Sequence, residues 1–373
     1  MNVRFKSDRI PAILIFLGLL STILPESAFA QEAWRKQWDG ALAAAKKEGT
    51  VVVIGPTSPE MRAEFTEIFP KRYGIPLEFI TMGAAEARVR VDREITAGRL
   101  TVDVLIGGAE EIRSLLPGGH LASIKERLLL PEVVDPKRWR AGKIKYNDQE
   151  ERYMIQMMEY VFGGIDLNQD HVKREEIRSW KDLLNPKFKG KITGHDPRPP
   201  GPGQAVAIYL MDLFGADFVK ALYLGQDAVF TRERRQAAEW VVRGVYPIGL
   251  GVPERDLSSL NEAVKASIDR IFPPEAPGQL VGGSGVVKVL KNAPHPNAAT
   301  VFLNWLLTRE AQEVFARTNS HLSRRTDVDH KTVPNWQWLL PREGVKYQDA
   351  YTYDYIVQTR PKVQKVLLDT LGR

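Results

Sequence analysis

The sequence predicts an α/β fold of about two domains, each carried by a mostly parallel sheet flanked by helices. Three observations point there. The chain has 373 residues, enough for two separate cores at roughly 100–200 residues per domain. Its composition, 43% hydrophobic and 26% charged, is globular and excludes a largely disordered chain. Short β-branched runs alternate with segments of helical periodicity, the pattern of strands joined through crossover helices.

Taken in order, Met1–Ala30 reads as a signal peptide. Arg4, Lys6 and Arg9 precede the uncharged run Ala12–Leu24, and Ala28-Phe29-Ala30 supplies the small residues of a cleavage site. The run is shorter than the roughly 20 apolar residues of a membrane span. Trp34, Trp38, Ala41, Leu42 and Ala45 then share one helical face, and Gly49 stops the helix. Thr50–Gly55 is a strand. Ser58 caps the next helix, Pro59 takes its first position, Met61, Phe65, Ile68 and Phe69 form its apolar face, and Gly74 ends it. Ile75–Thr81 is strand-like, Ala84–Ala97 helical and Thr101–Gly107 strand-like. The alternation resumes with strand Lys191–Gly194, helices Gly203–Phe214 and Arg234–Arg243, and strand Tyr246–Val252. His295–Leu307 and Arg309–Thr318 are adjoining helices. DPRPPGPG before Gly203 and FPPEAPG before Gln279 are too rich in proline and glycine for regular structure.

Charge and residue counts exclude several functions. Cysteine is absent, so there is no disulfide framework, thiol nucleophile or cysteine-held metal. The formal net charge of +6 is mild, and charges alternate in sign along helices, as in Arg88, Arg90, Asp92, Arg93 and Glu94, which argues against a nucleic-acid partner. The six histidines (120, 171, 195, 295, 321, 330) show no HExxH or other ligand spacing. Gly282-Gly283-Ser284-Gly285-Val286 lacks the final glycine of a nucleophile elbow, and no P-loop occurs. Neither an enzyme nor a cofactor is expected.

Three segments carry a resemblance. SWKDLLNPKFKGKI (Ser179–Ile192), APHPNAATVFLNWLLTREAQEVF (Ala293–Phe315) and Asp166-Leu167-Asn168 with the apolar run before it resemble the Trp-Asp-Leu-Leu, HPNAA and crossover-strand segments of type 2 periplasmic solute-binding proteins of ABC importers. The order and spacing are similar to the branch related to ferric-iron-binding proteins, over residues 32–325. The resemblance implies a two-lobe periplasmic-binding-protein type II fold with the ligand in the cleft. It implies a first lobe at 31–155, completed by 276–325, and a second at 156–275, with 326–373 packing back on it. It also implies an exported, periplasmic monomer that serves an inner-membrane permease and ATPase.

Ligands of open α/β sheets sit beyond the carboxyl ends of strands, where helix N-termini face inward. That logic nominates Thr57 and Ser58 after the first strand, and Gly108 and Glu110 after the third. It adds Arg198 and Gly203 after Asp196, Thr231 and Arg232 at a further junction, Val252, and Ser284 in the glycine-rich turn. Arginine beside exposed N–H groups suits a carboxylate or phosphate. Ser58 as a plain cap and Arg198 as a solvated loop residue are the alternatives. Ferric-binding relatives carry adjacent tyrosines where this chain has Val252-Pro253-Glu254, and Ser58 matches the early histidine ligand of some of them. Relatives of the branch take phosphorylated sugars, phosphonates, thiamine and polyamines besides iron. A small carboxylate- or phosphate-bearing solute is expected; Glu110, Glu159 and Tyr160 would instead serve a cation. Tyr351, Tyr353 and Tyr355 could put three phenols on one side of an extended segment, but they lie outside the matching region and core packing is the alternative. Ferric iron, and ligand sensing for a membrane kinase, are the rival readings.

Overall fold

The computed structural model describes Met1 and residues 26–372. The signal-peptide reading therefore falls mainly on residues 2–25, outside the described ones. The opening helix, Glu26–Glu48, ends where Gly49 turns the chain into the first strand.

Strands β1 (Val51–Gly55), β2 (Leu77–Thr81), β3 (Val104–Gly107), β4 (Lys145–Tyr146) and β5 (Ile155–Gln156) belong to one sheet. β6 (Tyr160–Phe162) leaves it. β7 (Ile165–Asn168), β8 (Ile192–His195), β9 (Val229–Thr231), β10 (Ile248–Leu250) and β11 (Ile268–Ile271) form a second sheet. β12 (Gln279–Val281) leads back, β13 (Val286–Val289) rejoins the first sheet, and β14 (Gln348–Asp349) comes last. The strand orders are β2-β1-β3-β13-β5-β4 in one lobe, β11-β7-β10-β8-β9 in the other, and β14-β12-β6 between them.

Each sheet joins a parallel part to an antiparallel part. β1, β2 and β3 are parallel, as are β8, β9 and β10, while β13 runs against β3 and β5, and β7 against β10 and β11. Chain crossing explains the departure from the expected mostly parallel sheets. A strand followed by a crossover helix ends at the cleft edge, whereas a strand arriving from the other lobe starts there.

Alternation along the strands feeds both faces of the first sheet. Val51 and Val53 pack with Phe65, Phe69, Phe302 and Trp305 on one side, while Val52 and Ile54 pack with Val91, Val102 and Leu105 on the other. Phe65 and Trp305 meet edge-on, with centroids 4.8 Å apart. In the second lobe Ile165, Leu167, Ile192, Ile248 and Leu250 share one cluster with Trp180 and Tyr209.

The lobes are linked by two antiparallel crossings, β6 and β12, flanked on the second-lobe side by Gly163 and Gly278 at φ +96° and +99°. Those torsions suit glycine alone, and Tyr209 Oη holds Gly278 from both sides, accepting from its N–H (2.9 Å) and donating to its carbonyl (3.1 Å). Of the segment read as the crossover strand, the apolar run Tyr160–Phe162 makes the crossing, and Asp166–Asn168 lies inside β7. β14 adds a third, parallel strand to this linker sheet. Beyond it, Ile356 packs in the first lobe, while Leu367 of helix Arg360–Leu371 packs in the second. No helix among the described residues is long and apolar enough to cross a membrane.

Candidate functional site

The cleft edge of the first lobe is built from the ends of β1 and β3 and the turn before β13. Ser58 is fully buried; its Oγ accepts from Met61 N (3.3 Å), while its single proton faces Thr318 O (3.2 Å) and Glu60 Oε2 (3.3 Å). The hydroxyl is spent on capping helix Pro59–Tyr73, so the plain-cap alternative describes it. Thr57 is exposed and offers its carbonyl. Gly108 O accepts from buried Lys288 Nζ at 2.6 Å, and Lys288 also pairs with Glu111 at 2.9 Å. Glu110 is paired through one carboxylate oxygen with Arg360 of the C-terminal segment, and its side chain is part-exposed. Ser284 N and Oγ lie 3.4 Å from His321 Nε2, and Tyr351 Oη donates to Gly283 O (2.8 Å).

The second lobe contributes the loops after β8, β9 and β10. Asp196 is buried, which by itself would raise its pKa. Hydrogen bonds from Arg198 and Arg232 outweigh that and hold the carboxyl below its usual range. Arg198 takes both carboxylate oxygens, Nε–Oδ1 2.8 Å and Nη2–Oδ2 3.0 Å. Arg198 is therefore an internal partner of Asp196 rather than a free loop arginine. Arg232 Nε reaches the same carboxylate only at 3.5 Å, with 77% of its side chain exposed. One carboxylate thus serves two guanidinium groups, and the surplus positive charge sits on Arg232. Thr231 Oγ1 accepts from Glu233 N (3.1 Å) and its carbonyl from Asp196 N (2.9 Å), fixing this corner.

Two nominated positions act through packing. A Cβ on Gly203 would lie 1.9 Å from His195 O, so only glycine lets helix Pro202–Lys220 start against β8. Val252, expected to face the solute, is instead buried: the residue is 1% exposed and its side chain packs with Ala237, Val241 and Leu257. Its carbonyl accepts from Arg270 Nη2 (3.0 Å).

Sequence reasoning missed Arg234, Arg255, His321 and the role of Tyr160. Arg234 opens helix Arg234–Val242 and pairs with Asp256 at 3.0 Å. Arg255, in the first turn of helix Glu254–Val264, crosses to the first lobe; Nη1 donates to Thr57 O (2.8 Å) and Nη2 lies 3.2 Å from Glu60. His321 stacks on Tyr160 with centroids 4.5 Å apart. Burial lowers the His321 pKa to about 4, with Arg234 and Arg255 adding to the effect, so the imidazole is neutral at physiological pH. Burial raises the Tyr160 phenol, and Arg234 is one of the charges that counter it. The run Thr-Arg-Glu-Arg-Arg after a strand was the available signal for Arg234; His321 and Tyr160 meet only through the fold.

The candidate cation ligands are otherwise engaged. Glu159 faces Arg140 (3.1 Å), Lys145 (3.2 Å) and Arg324. The tyrosines at 351, 353 and 355 do not share a side: Tyr353 joins the first-lobe core and Tyr355 the second-lobe core. Burial raises the Tyr351 phenol. Among the described residues no three His, Asp or Glu side chains converge as a metal site.

Comparison with known proteins agrees with this architecture. The model of the family described as bacterial extracellular solute-binding protein matches residues 55–313. An uncharacterised protein of Haemophilus influenzae is 24% identical over 298 residues, spanning 78% of this chain and 82% of that one. Iron-bound HitA from Pseudomonas aeruginosa superposes with a TM-score of 0.64 at 15% identity, covering 86% of this chain and 99% of that one. AfuA from Actinobacillus pleuropneumoniae, with fructose-6-phosphate bound, gives 0.65 at 19%, covering 86% and 98%. At such identities the likeness shows the two-lobe fold alone.

Proposed function

The chain belongs to the bacterial extracellular solute-binding protein family, and from that premise we propose that it captures a small anionic organic solute, carboxylate- or phosphate-bearing, between its lobes. It then delivers the solute to the permease and ATPase of an inner-membrane ABC importer. The chain is exported to the periplasm behind a cleaved signal peptide.

The observation that carries the anionic reading is the sharing of Asp196 by Arg198 and Arg232, which leaves a guanidinium in excess at the cleft edge. Guanidinium donors match carboxylate and phosphate oxygens in pairs. Helix starts at Pro202, Arg234 and Glu254 aim their N–H ends at the same edge and favour the same sign of charge. HitA and AfuA bind iron and fructose-6-phosphate respectively on this scaffold, so the ligand is read from the site and not from the fold. For this chain a directly held ferric ion has less support, since it needs anionic oxygen donors. Val252 is buried, Glu159 is already neutralised by three cations, and the enclosed phenols of Tyr160 and Tyr351 are held protonated.

Capture follows from hinge closure. A solute that touches both lobes binds the closed arrangement better than the open one and shifts the population toward it. The family is one of binding proteins, and selection here needs no bond-making step. Calorimetry with inorganic phosphate and citrate tests the anionic reading. Arg232→Gln is expected to weaken binding about tenfold or more with the melting temperature kept, and unchanged affinity for both anions would remove Arg232 from the site.

A further inference from the structure

Four charged side chains run across the mouth of the cleft. Glu60 stands in the first turn of helix Pro59–Tyr73 in the first lobe. Arg255 and Asp256 stand in the first turn of helix Glu254–Val264 in the second, and Arg234 starts the neighbouring helix. Glu60 meets Arg255 at 3.2 Å, and Asp256 meets Arg234 at 3.0 Å. Arg255 also donates to Thr57 O at 2.8 Å, so it holds the first lobe by two contacts. His321, close enough to both guanidinium groups to feel their charge, brings Ser284 and Tyr160 to the same place.

Neither ion pair uses up its arginine. A guanidinium carries five N–H donors. Arg255 gives one to a carbonyl and approaches Glu60 with another, while Arg234 faces a single oxygen of Asp256. Half of the Arg234 side chain and over a quarter of that of Arg255 are open to solvent, and Glu60 is 62% exposed. Such an exposed pair is weak and readily exchanged.

We propose that Arg234 and Arg255 form a two-guanidinium clamp for the anionic group of the solute, and that Asp256 and Glu60 are internal carboxylates with which the solute competes for that clamp. The clamp rests on the anionic-solute reading and names its recognition groups. Two cations on adjacent helices select an anion with at least two acceptor oxygens spread over a phosphate or a pair of carboxylates. The neutral His321 beside them adds a hydrogen-bonding nitrogen without a third charge. Because Arg255 remains joined to Thr57, an anion held there is bound to both lobes, and recognition and closure are one event.

Competition has a sign that a merely structural role lacks. Calorimetric titration of the exported full chain with inorganic phosphate and with citrate, at low and moderate salt, reads it out. Glu60→Gln is expected to tighten binding about two- to fivefold, the size of an exposed ion pair, and Asp256→Asn to act in the same direction. Arg234→Gln and Arg255→Gln are expected to weaken binding about tenfold or more, with circular dichroism and melting temperature preserved. Unchanged affinity in both arginine variants, alongside loss in Arg232→Gln, would overturn the clamp and leave the anionic reading standing. Weaker binding in Glu60→Gln would overturn the competition. Failure of the wild type to bind either anion would overturn both.

Discussion

Gly203 is set by a single close approach. The carbonyl of His195 occupies the space a Cβ would need, and the next obstacles, at 2.6 and 2.9 Å, are also backbone atoms. No rotamer change relieves such a clash, so Gly203→Ala is expected to cost about 3 kcal/mol or more and to displace the loop carrying Arg198. Gly40 is the control. It lies inside helix Glu26–Glu48 with nothing near its missing Cβ, and Gly40→Ala is expected to stabilise by about 1 kcal/mol. Chemical denaturation of both variants checks the contrast. Ser58 and Gly74 were legible as helix ends because capping is local chemistry. Gly203 and Val252 stood in the right loops, but nothing in the sequence distinguishes a loop residue that faces the cleft from one that packs beneath it. The bidentate hold of Arg198 on Asp196 spans two residues, yet it depends on a turn that the proline-rich run does not spell out.

At the scale of elements, the second lobe hides an unbalanced charge cluster. Arg270 on β11 pairs with Asp166 on β7 (2.7 Å) and Glu254 at a helix start (3.3 Å), under the ring of Trp338 (5.7 Å). Asn335 and Ser258 donate to Glu254 as well. One guanidinium stands between two buried carboxyls. Burial pushes Glu254 up to about 7 against the pull of Arg270, and Asp166 moves in the same direction. The folded state therefore holds protons that the unfolded chain has released between the ordinary glutamate value and about 7. Stability from Glu254 is full below that window and is lost as pH rises through it. Urea melts from pH 5 to 7.5 are expected to show the wild type losing stability relative to Glu254→Gln, and parallel profiles would contradict this. Arg270→Met is expected to cost about 3–5 kcal/mol at pH 7, because both carboxyls lose their cation. This cluster was invisible in the sequence, since its members come from three distant segments. The strands and helices themselves were legible because periodicity is local: β1, β2, β3, β10 and the helices from Pro59, Ala84, Arg234 and Pro296 all fall within their expected spans, while β8 runs one residue past its expected end, to His195.

For the whole molecule, the two-lobe architecture followed from family-like segments and strand–helix alternation, whereas strand direction did not. β7 and β13 must start at the cleft edge because they enter from the other lobe, and no local pattern records that. The C-terminal segment was equally opaque. It threads from the linker sheet to the first-lobe core and then to helix Pro202–Lys220, a route set by long-range packing. The cleft combines these levels: strand ends supply the loops, helix starts supply arginines, and the crossings let the lobes close. The proposed cargo of this cleft is a small organic anion. Native mass spectrometry of the exported protein, incubated with a mixture of organic phosphates, carboxylates, polyamines and ferric citrate, tests it most directly. A one-to-one adduct with the mass of an organic anion, lost on Arg234→Gln, is expected. An adduct with a polyamine, or the mass of a single iron held without an organic anion, would contradict it.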